Sequence, residues 1–283
     1  MTLILLGASG FIGSKVHQTL MEKKIEFLTL DRNFKLHSSP SQDSKIEYKN
    51  NLGANKSKLN QKITVINLAG NALGSNEQIF NANYTYQLEV LTRLLDKKVN
   101  IKWIQSSSYF QNYYKLHGIH KNYYAECKYM FLKELQLVAS REKLEVINLV
   151  MPHITGIGEQ ERRLIPQIIK AKINHQPVLL SSRFPVLPLL PVQIFTNHII
   201  EIIQSDKPEE RSTIAPMINL TVEEIAEIIL NDNFDLARFG EVPNRDNEFL
   251  SDSELGLPNA YGSLEAIVKI FNEIECGLRQ NSP

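Results

Sequence analysis

The sequence predicts an α/β protein: a doubly wound parallel sheet followed by a small α/β cap. Three observations carry this. Apolar runs of strand length alternate with longer runs of helical spacing through the first half of the chain. The first apolar run stops at a glycine cluster and passes straight into an amphipathic stretch. Beyond Pro152 the rhythm changes and prolines gather, which sets the second part apart from the first.

Leu3 to Leu6 is the first strand, and Gly7-Ala8-Ser9-Gly10-Phe11-Ile12-Gly13 follows it. Phe11 to Glu22 has helical spacing, with Ile12, Val16 and Leu20 on one face. Strand, tight turn and helix open a Rossmann-type sheet. Glycine admits a positive φ and lets a phosphate approach the backbone, and the free N–H groups of the helix start point at the same place. Ile25 to Asp31 is a second strand. Asp31 lies eighteen residues past Gly13, where an acidic residue holds the ribose hydroxyls of a dinucleotide. Gly7, Ser9, Gly10, Phe11, Ile12, Gly13 and Asp31 are therefore candidate cofactor contacts. Asp31 favours NAD, whereas Arg32 suits a 2′-phosphate, so NAD and NADP both stay open.

Residues 33 to 60 are polar, with a short strand expected near Ile46-Glu47-Tyr48 and a short helix after it. Ile63 to Leu68 is a buried strand running into Ala69-Gly70. Ser75 to Asp96 reads as one long helix with Ile79, Ala82, Tyr86, Val90 and Leu94 near one face. Ile101 to Gln105 is a strand ending in Ser106-Ser107-Ser108, Asn122 to Arg141 a helix, and Glu145 to Val150 a strand closed by Pro152. In the cap, Leu164 to Ile173 is a helix and Val178 to Leu180 a strand. Pro185, Pro188 and Pro191 exclude a helix and a central strand and read as a loop. Val192 to Ile203 and Thr221 to Leu230 are helices, the second capped by Asn219 or Thr221. Gly256-Leu257-Pro258 is a turn before a last helix, Leu264 to Leu278. The expected division is residues 1–155 for an NAD(P)-binding domain and 156–283 for a substrate cap that shares some segments with the core.

The chain has 283 residues, 43% hydrophobic and 22% charged, which supplies a substantial core. Lysine plus arginine equals aspartate plus glutamate at 31 each, so no basic excess calls for nucleic acid or a membrane surface. Two cysteines form no disulfide framework, the N-terminus has no basic leader region, and no apolar stretch has membrane length. A soluble cytoplasmic protein is expected. The histidines show no metal-ligand spacing, and no metal is expected.

The strongest chemical signal is Tyr124-Ala125-Glu126-Cys127-Lys128. Tyr124 and Lys128 are four apart on a predicted helix and share a face. A neighbouring ammonium favours the phenolate, which suits Tyr124 to proton transfer at neutral pH.

Together these residues resemble the extended short-chain dehydrogenase/reductases, or NAD-dependent epimerase/dehydratases. Gly7, Gly10 and Gly13 match the GxxGxxG loop, and Tyr124 and Lys128 match YxxxK. Asn67-Leu68-Ala69-Gly70 resembles the strand end that lines the cofactor, and Asn83 falls where the next helix carries an asparagine. Asn148 to Gly156 is similar to the family's L-R-x-x-N-x-Y-G segment, which brings in Pro152, His153 and Ile154. Arg162 and Arg163 fall near its nucleotide-sugar site. The resemblance implies hydride transfer. Ser106 (Ser107 as fallback) holds a substrate oxygen, Tyr124 passes the proton, and Lys128 bonds the nicotinamide ribose. It implies cofactor contacts from Leu68, Ala69, Gly70, Asn83, Pro152 and Ile154, and substrate contacts from Ser107, Ser108, His153, Arg162 and Arg163. It also implies a possible homodimer through the helices that bear Asn83 and Tyr124.

Departures narrow the reading. Dehydratases place Asp-Glu after the catalytic Ser or Thr; this chain has Ser107 and Ser108, which make a poor acid–base pair. The arginine of L-R is Val150, and V-D-D is Val192-Gln193-Ile194. The serine and tyrosine segments look most like nucleotide-sugar 4-ketoreductases. The leading expectation is an NAD(P)H-dependent reductase of a 4-keto sugar nucleotide. A nucleotide-sugar epimerase with tightly held NAD and a non-catalytic dinucleotide sensor are the alternatives.

Overall fold

The computed structural model describes residues 2–38, 62–110, 122–205, 211–240 and 260–280. The strand expected near Ile46, the helix after it and the Gly256 turn lie outside the described residues. Among the described residues, contacts group into two compact units. The first draws on residues 2–110, 122–150 and 196–213, the second on 151–195 and 214–280. The grouping divides before Met151 and places residues 196–213 with the first unit.

The first unit is built on β1 (Thr2–Leu6), β2 (Leu28–Leu30), β3 (Leu36–Ser38), β4 (Lys62–Asn67), β5 (Asn100–Ser108), β6 (Leu144–Met151) and a later strand, β10 (Arg211–Thr213). The sheet order is β10-β6-β5-β4-β1-β2-β3; β1–β2, β1–β4, β4–β5 and β6–β10 pair in parallel, and β2–β3 is an antiparallel hairpin. The order reverses beside β1, the switch point at which doubly wound sheets bind ligands beyond their carboxyl ends. Helices α1 (Phe11–Glu22), α2 (Asn76–Phe80), α3 (Tyr86–Leu95) and α4 (Tyr123–Ala139) connect the strands. Ile63, Val65, Ile101 and Trp103 of the sheet pack with Val90, Leu91 and Leu94 of α3 and Phe131 and Leu135 of α4 in one buried core. Side chains of this kind each contribute about 1.5–3 kcal/mol on burial.

The helix expected from Ser75 to Asp96 is broken. Asn81–Thr85 forms a π turn between α2 and α3. The extra residue rotates the buried face, so Asn83 and Gln87 point inward where Ala82 and Tyr86 were expected. Asn83 is the wedge: its Nδ2 donates to the carbonyls of Ile79 and Asn71, both at 2.7 Å.

The second unit holds β7 (His153–Thr155), α5 (Leu164–Asn174), β8 (Val178–Leu180), β9 (Val186–Pro191), β11 (Ile218–Thr221), α7 (Val222–Leu230), β12 (Ala237–Phe239) and α8 (Leu264–Gln280); α6 (Val192–Gln204) precedes β10. Its core joins Ile165, Ile168 and Ile169 of α5 to Ile225 and Ile229 of α7 and Phe271 of α8. Thr221 caps α7 in a capping box with Glu224. The proline run is a correction: Val186–Pro191 is the middle strand of a three-stranded sheet, β11-β9-β7. Pro188 pairs only with Asn219 of β11, and Pro191 only with Thr155 of β7. Each proline thus has a neighbour on one side alone, and its missing N–H interrupts neither ladder.

Among the described residues, no helix is long and apolar enough to cross a membrane.

The glycine loop is sterically determined. Gly7 has φ +79°, and a Cβ there would lie 2.7 Å from the Ala69 nitrogen. A Cβ on Gly13 would collide with the Gly7 carbonyl oxygen. Gly13→Ala is therefore expected to open the loop, lowering the urea midpoint and weakening dinucleotide affinity. Calorimetric titration beside an unfolding curve checks both.

Candidate active site

Gly10 precedes α1 as its N-cap, and no side chain caps the helix; its first turn carries no acidic residue. The Gly10 N–H instead closes the turn onto the Gly7 carbonyl at 3.0 Å. The start of α1 keeps backbone donors for an anion, as a pyrophosphate seat requires. Ser9 and Gly10 are exposed, and Phe11 and Ile12 half-buried. This cradle fits a dinucleotide.

Asp31 closes the β2–β3 hairpin. Its Oδ1 accepts the N–H groups of Asn33 and Lys35 at 2.8 and 2.9 Å, and Oδ2 meets His37 Nε2 at 3.1 Å. The Lys35 N–H holds its carboxyl below the usual range; burial opposes this slightly, and His37 and the Asn33 N–H add to it. A carboxylate has about four acceptor positions, so Asp31 retains capacity for ribose hydroxyls. Tyr86 braces the strand end by donating to the carbonyls of Leu30 and Asp31 at 3.4 and 3.2 Å. Arg32 is exposed.

At the carboxyl ends of β4 and β5 lies Lys128, with 2% of its surface exposed. Its Nζ donates to the Ala69 carbonyl at 3.2 Å, the Ser106 carbonyl at 3.0 Å and Ser106 Oγ at 3.2 Å. Burial pushes its ammonium from an ordinary 10.5 down to about 7. Tyr124, one turn earlier on α4, has its ring centroid 5.9 Å from Nζ. Leu68 and Ala69 are half-buried and Gly70 exposed. Asn83 is fully buried, and its Oδ1 accepts the Asn71 N–H at 3.3 Å.

The three serines belong to β5 itself rather than following it. Alternation puts Ser107 on one face and Ser106 and Ser108 on the other. Ser107 donates to Asn148 Oδ1 of the adjacent strand, and Ser108 Oγ accepts the Phe110 N–H at 3.3 Å.

The structure thus brings Ser106, Tyr124, Lys128 and Ala69 together. Within the second unit, His153, Arg163 and Ile154 cluster around Glu159, which the sequence reading does not name. The Glu159 side chain is fully buried. Its Oε2 accepts the Thr155 hydroxyl at 2.7 Å, and its Oε1 lies 3.3 Å from both His153 Nε2 and Arg163 Nε. Burial raises the Glu159 carboxyl, but His153, Arg163 and Thr155 outweigh it and leave the carboxyl below its usual range. Burial, then Arg163, holds His153 below an ordinary imidazole, against Glu159. Arg163 also reaches the Ile154 carbonyl at 3.4 Å, which commits its donors locally. Arg162 stands apart, exposed, with Nε on Gln160. Pro152 is buried beside β7.

A parallel doubly wound sheet with a glycine cradle at β1 and a buried lysine beside a tyrosine at β4 and β5 defines the short-chain dehydrogenase type of nucleotide-binding fold. The model of the NAD dependent epimerase/dehydratase family matches residues 3–186, and the protein belongs to that family. Among curated protein sequences none matches. Solved structures are similar along their whole length. UDP-glucuronic acid 4-epimerase from Bacillus cereus in complex with NAD is 15% identical with a TM-score of 0.73, covering 100% of this chain and 99% of that one. UDP-glucose 4-epimerase from Thermus thermophilus in complex with NAD is 16% identical with a TM-score of 0.70, covering 97% and 99%. An NAD-dependent NDP-hexosamine 5,6-dehydratase of tunicamycin biosynthesis is 14% identical with a TM-score of 0.72, covering 99% and 98%. At these identities the similarity is one of fold.

Lys128 gives a pH test with a definite sign. The unfolded chain binds its proton up to pH 10.5 and the folded chain up to about 7. Between those values the unfolded state carries more protons, so stability rises with pH. From pH 7 to pH 9 the protein is expected to gain about 2 kcal/mol relative to Lys128→Met. Urea unfolding of both proteins at the two pH values measures it.

Proposed function

We propose that this protein is a nucleotide-sugar epimerase that holds NAD and inverts a sugar carbon, C4 by preference, by oxidation and re-reduction. The observation that carries the reading is the buried Lys128 ammonium between the Ala69 and Ser106 carbonyls, one helical turn from Tyr124. Epimerases among the similar folds favour it over the reductase suggested by the serine and tyrosine segments.

NAD, when bound, would supply the hydride acceptor and donor for the sugar carbon. Gly7 to Gly13 would hold its pyrophosphate, Asp31 the adenosine ribose and Lys128 the nicotinamide ribose. Tyr124 removes the hydroxyl proton as the carbon is oxidised and gives it back on reduction, so the proton count balances over the cycle. Ser106 holds the reacting oxygen: its own oxygen accepts from Lys128, which leaves its O–H to donate. Ser107 has spent its hydrogen on Asn148. No carboxylate pair follows Ser106, which speaks against elimination of water. Arg162, with an exposed guanidinium, is a better candidate for a substrate phosphate than Arg163, whose donors are engaged.

Purified protein is expected to carry dinucleotide, seen by absorbance after denaturation, and to interconvert a UDP-hexose pair without added coenzyme. Isolation free of dinucleotide, with stoichiometric consumption of NADH on a 4-keto sugar nucleotide, would make it a reductase instead. Tyr124→Phe is expected to lower kcat by about 10²–10⁴ while retaining coenzyme. Ser106→Ala is expected to lower kcat by about 10², and Ser107→Ala by much less.

Tyr123, Met130 and Leu137 are exposed one heptad apart on α4, at 37%, 38% and 48%. They supply the expected homodimer with an apolar stripe on that helix. Sedimentation is expected to give twice the chain mass, and Met130→Glu to give the monomer.

A further inference from the structure

Beneath the Lys128 site is a closed set of buried amides. Asn67, Gln87 and Gln105 are each 0% exposed. Gln87 Nε2 donates to the Ala69 carbonyl at 3.0 Å, and Gln105 Nε2 to the Ser106 carbonyl at 3.0 Å. These are the two carbonyls that receive the Lys128 ammonium. Asn67 Nδ2 spends its hydrogens on the oxygens of both glutamines, at 2.9 Å to Gln87 and 2.8 Å to Gln105. Asn67 Oδ1 accepts the Ala69 N–H at 3.1 Å.

The direction of every bond follows from one residue. Trp103 Nε1 lies 2.9 Å from the Gln105 side-chain oxygen, and an indole can only donate. That atom of Gln105 is therefore the oxygen, and its nitrogen faces Ser106. Asn67 must then present its nitrogen to Gln105 and its oxygen to Ala69. Gln87 Nε2 also meets the Ala82 carbonyl at 3.1 Å, which orients it independently. No orientation conflicts with another.

We propose that Gln87 and Gln105, joined through Asn67, are positioning residues that hold the Ala69 and Ser106 carbonyls and so fix where Lys128 presents its amine. Each carbonyl oxygen divides its lone pairs between a carboxamide hydrogen and the ammonium. The carboxamides hold the oxygens still and weaken their pull on the ammonium's proton. Tyr124 is the titratable side chain beside Nζ. The proposal rests on Lys128 being the lysine that meets the coenzyme.

Titration of the Lys128 Cε resonance in protein labelled with carbon-13 lysine, assigned by its loss in Lys128→Met, reads the amine directly once any bound dinucleotide has been removed. Gln87→Met and Gln105→Met keep the length of the side chain and remove the donor. Each is expected to raise the midpoint by about 0.7 pH unit, a fivefold change in proton affinity equivalent to one neutral hydrogen bond. NAD affinity, read by calorimetry, is expected to weaken about fivefold as the amine loses its fixed place. Buried amides that serve only the sheet would shift the urea midpoint and leave the Lys128 titration unmoved; that result in folded variants overturns the proposal. If a methionine variant does not fold, Gln87→Asn and Gln105→Asn, which withdraw the amide by one methylene, are to show the same upward movement, and an unmoved midpoint there also overturns it. The titration needs no turnover. Absence of epimerase activity therefore sinks the proposed function alone, and an unmoved midpoint sinks the positioning role alone.

Discussion

An ammonium buried among carbonyl dipoles is the constraint on which the first unit depends. Taking a lysine out of water is costly unless its hydrogens find acceptors. Three oxygens receive Lys128, and none is a carboxylate. A carboxylate would pin the charge and keep the proton in place. Carbonyls satisfy the geometry while leaving the proton weakly held, which is why burial can bring the amine down to about 7. Such an arrangement works only if the carbonyls themselves are rigid. The ends of β4 and β5, where the strands part after Asn67 pairs with Gln105, therefore need support from below.

That support explains polar residues that look misplaced in a buried sheet. Asn67 and Gln105 sit side by side in register, and Gln87 reaches them from α3 because the π turn at Asn81–Thr85 has rotated the helix. Without that turn the inward position would fall on Tyr86, whose hydroxyl instead serves the end of β2. One inserted residue thus allows the same helix to close the amide network and brace the hairpin at Asp31.

What was legible in the sequence had local causes. The first helix follows from apolar spacing, and its bounds, Phe11–Glu22, agree with the expectation. The glycine loop and the alternation of strands with helices are readable because each depends on a few adjacent residues. What escaped depends on tertiary neighbours. The π turn has no signature in hydrophobic spacing, and Ala82 and Tyr86 are as plausible inward as Asn83 and Gln87. The prolines of β9 read as a loop because a central strand ordinarily pairs on both sides; the staggered neighbours β7 and β11 leave Pro188 and Pro191 each paired on one side only. Glu159 carries no motif, and only folding brings it under His153, Thr155 and Arg163. Its one sequence signal is an acidic residue four before Arg163, a spacing too common to single out.

The run Ser106-Ser107-Ser108 shows how chemistry can be separated from packing in a buried strand end. Most buried hydroxyls are satisfied by the fold, so burial and polarity alone do not mark a functional serine. The distribution of hydrogens does. Ser107 donates its hydrogen to Asn148 and is thereby used up in joining β5 to β6. Ser106 accepts from Lys128, and a hydroxyl that accepts retains its hydrogen. That hydrogen belongs to the serine in contact with the one buried ammonium of the site. A hydroxyl whose hydrogen is uncommitted, held against a buried amine, can donate to a further oxygen. The same reasoning separates Arg162 from Arg163: the half-buried Arg163 is engaged by Glu159, His153 and the Ile154 carbonyl, whereas the exposed Arg162 commits its Nε to Gln160.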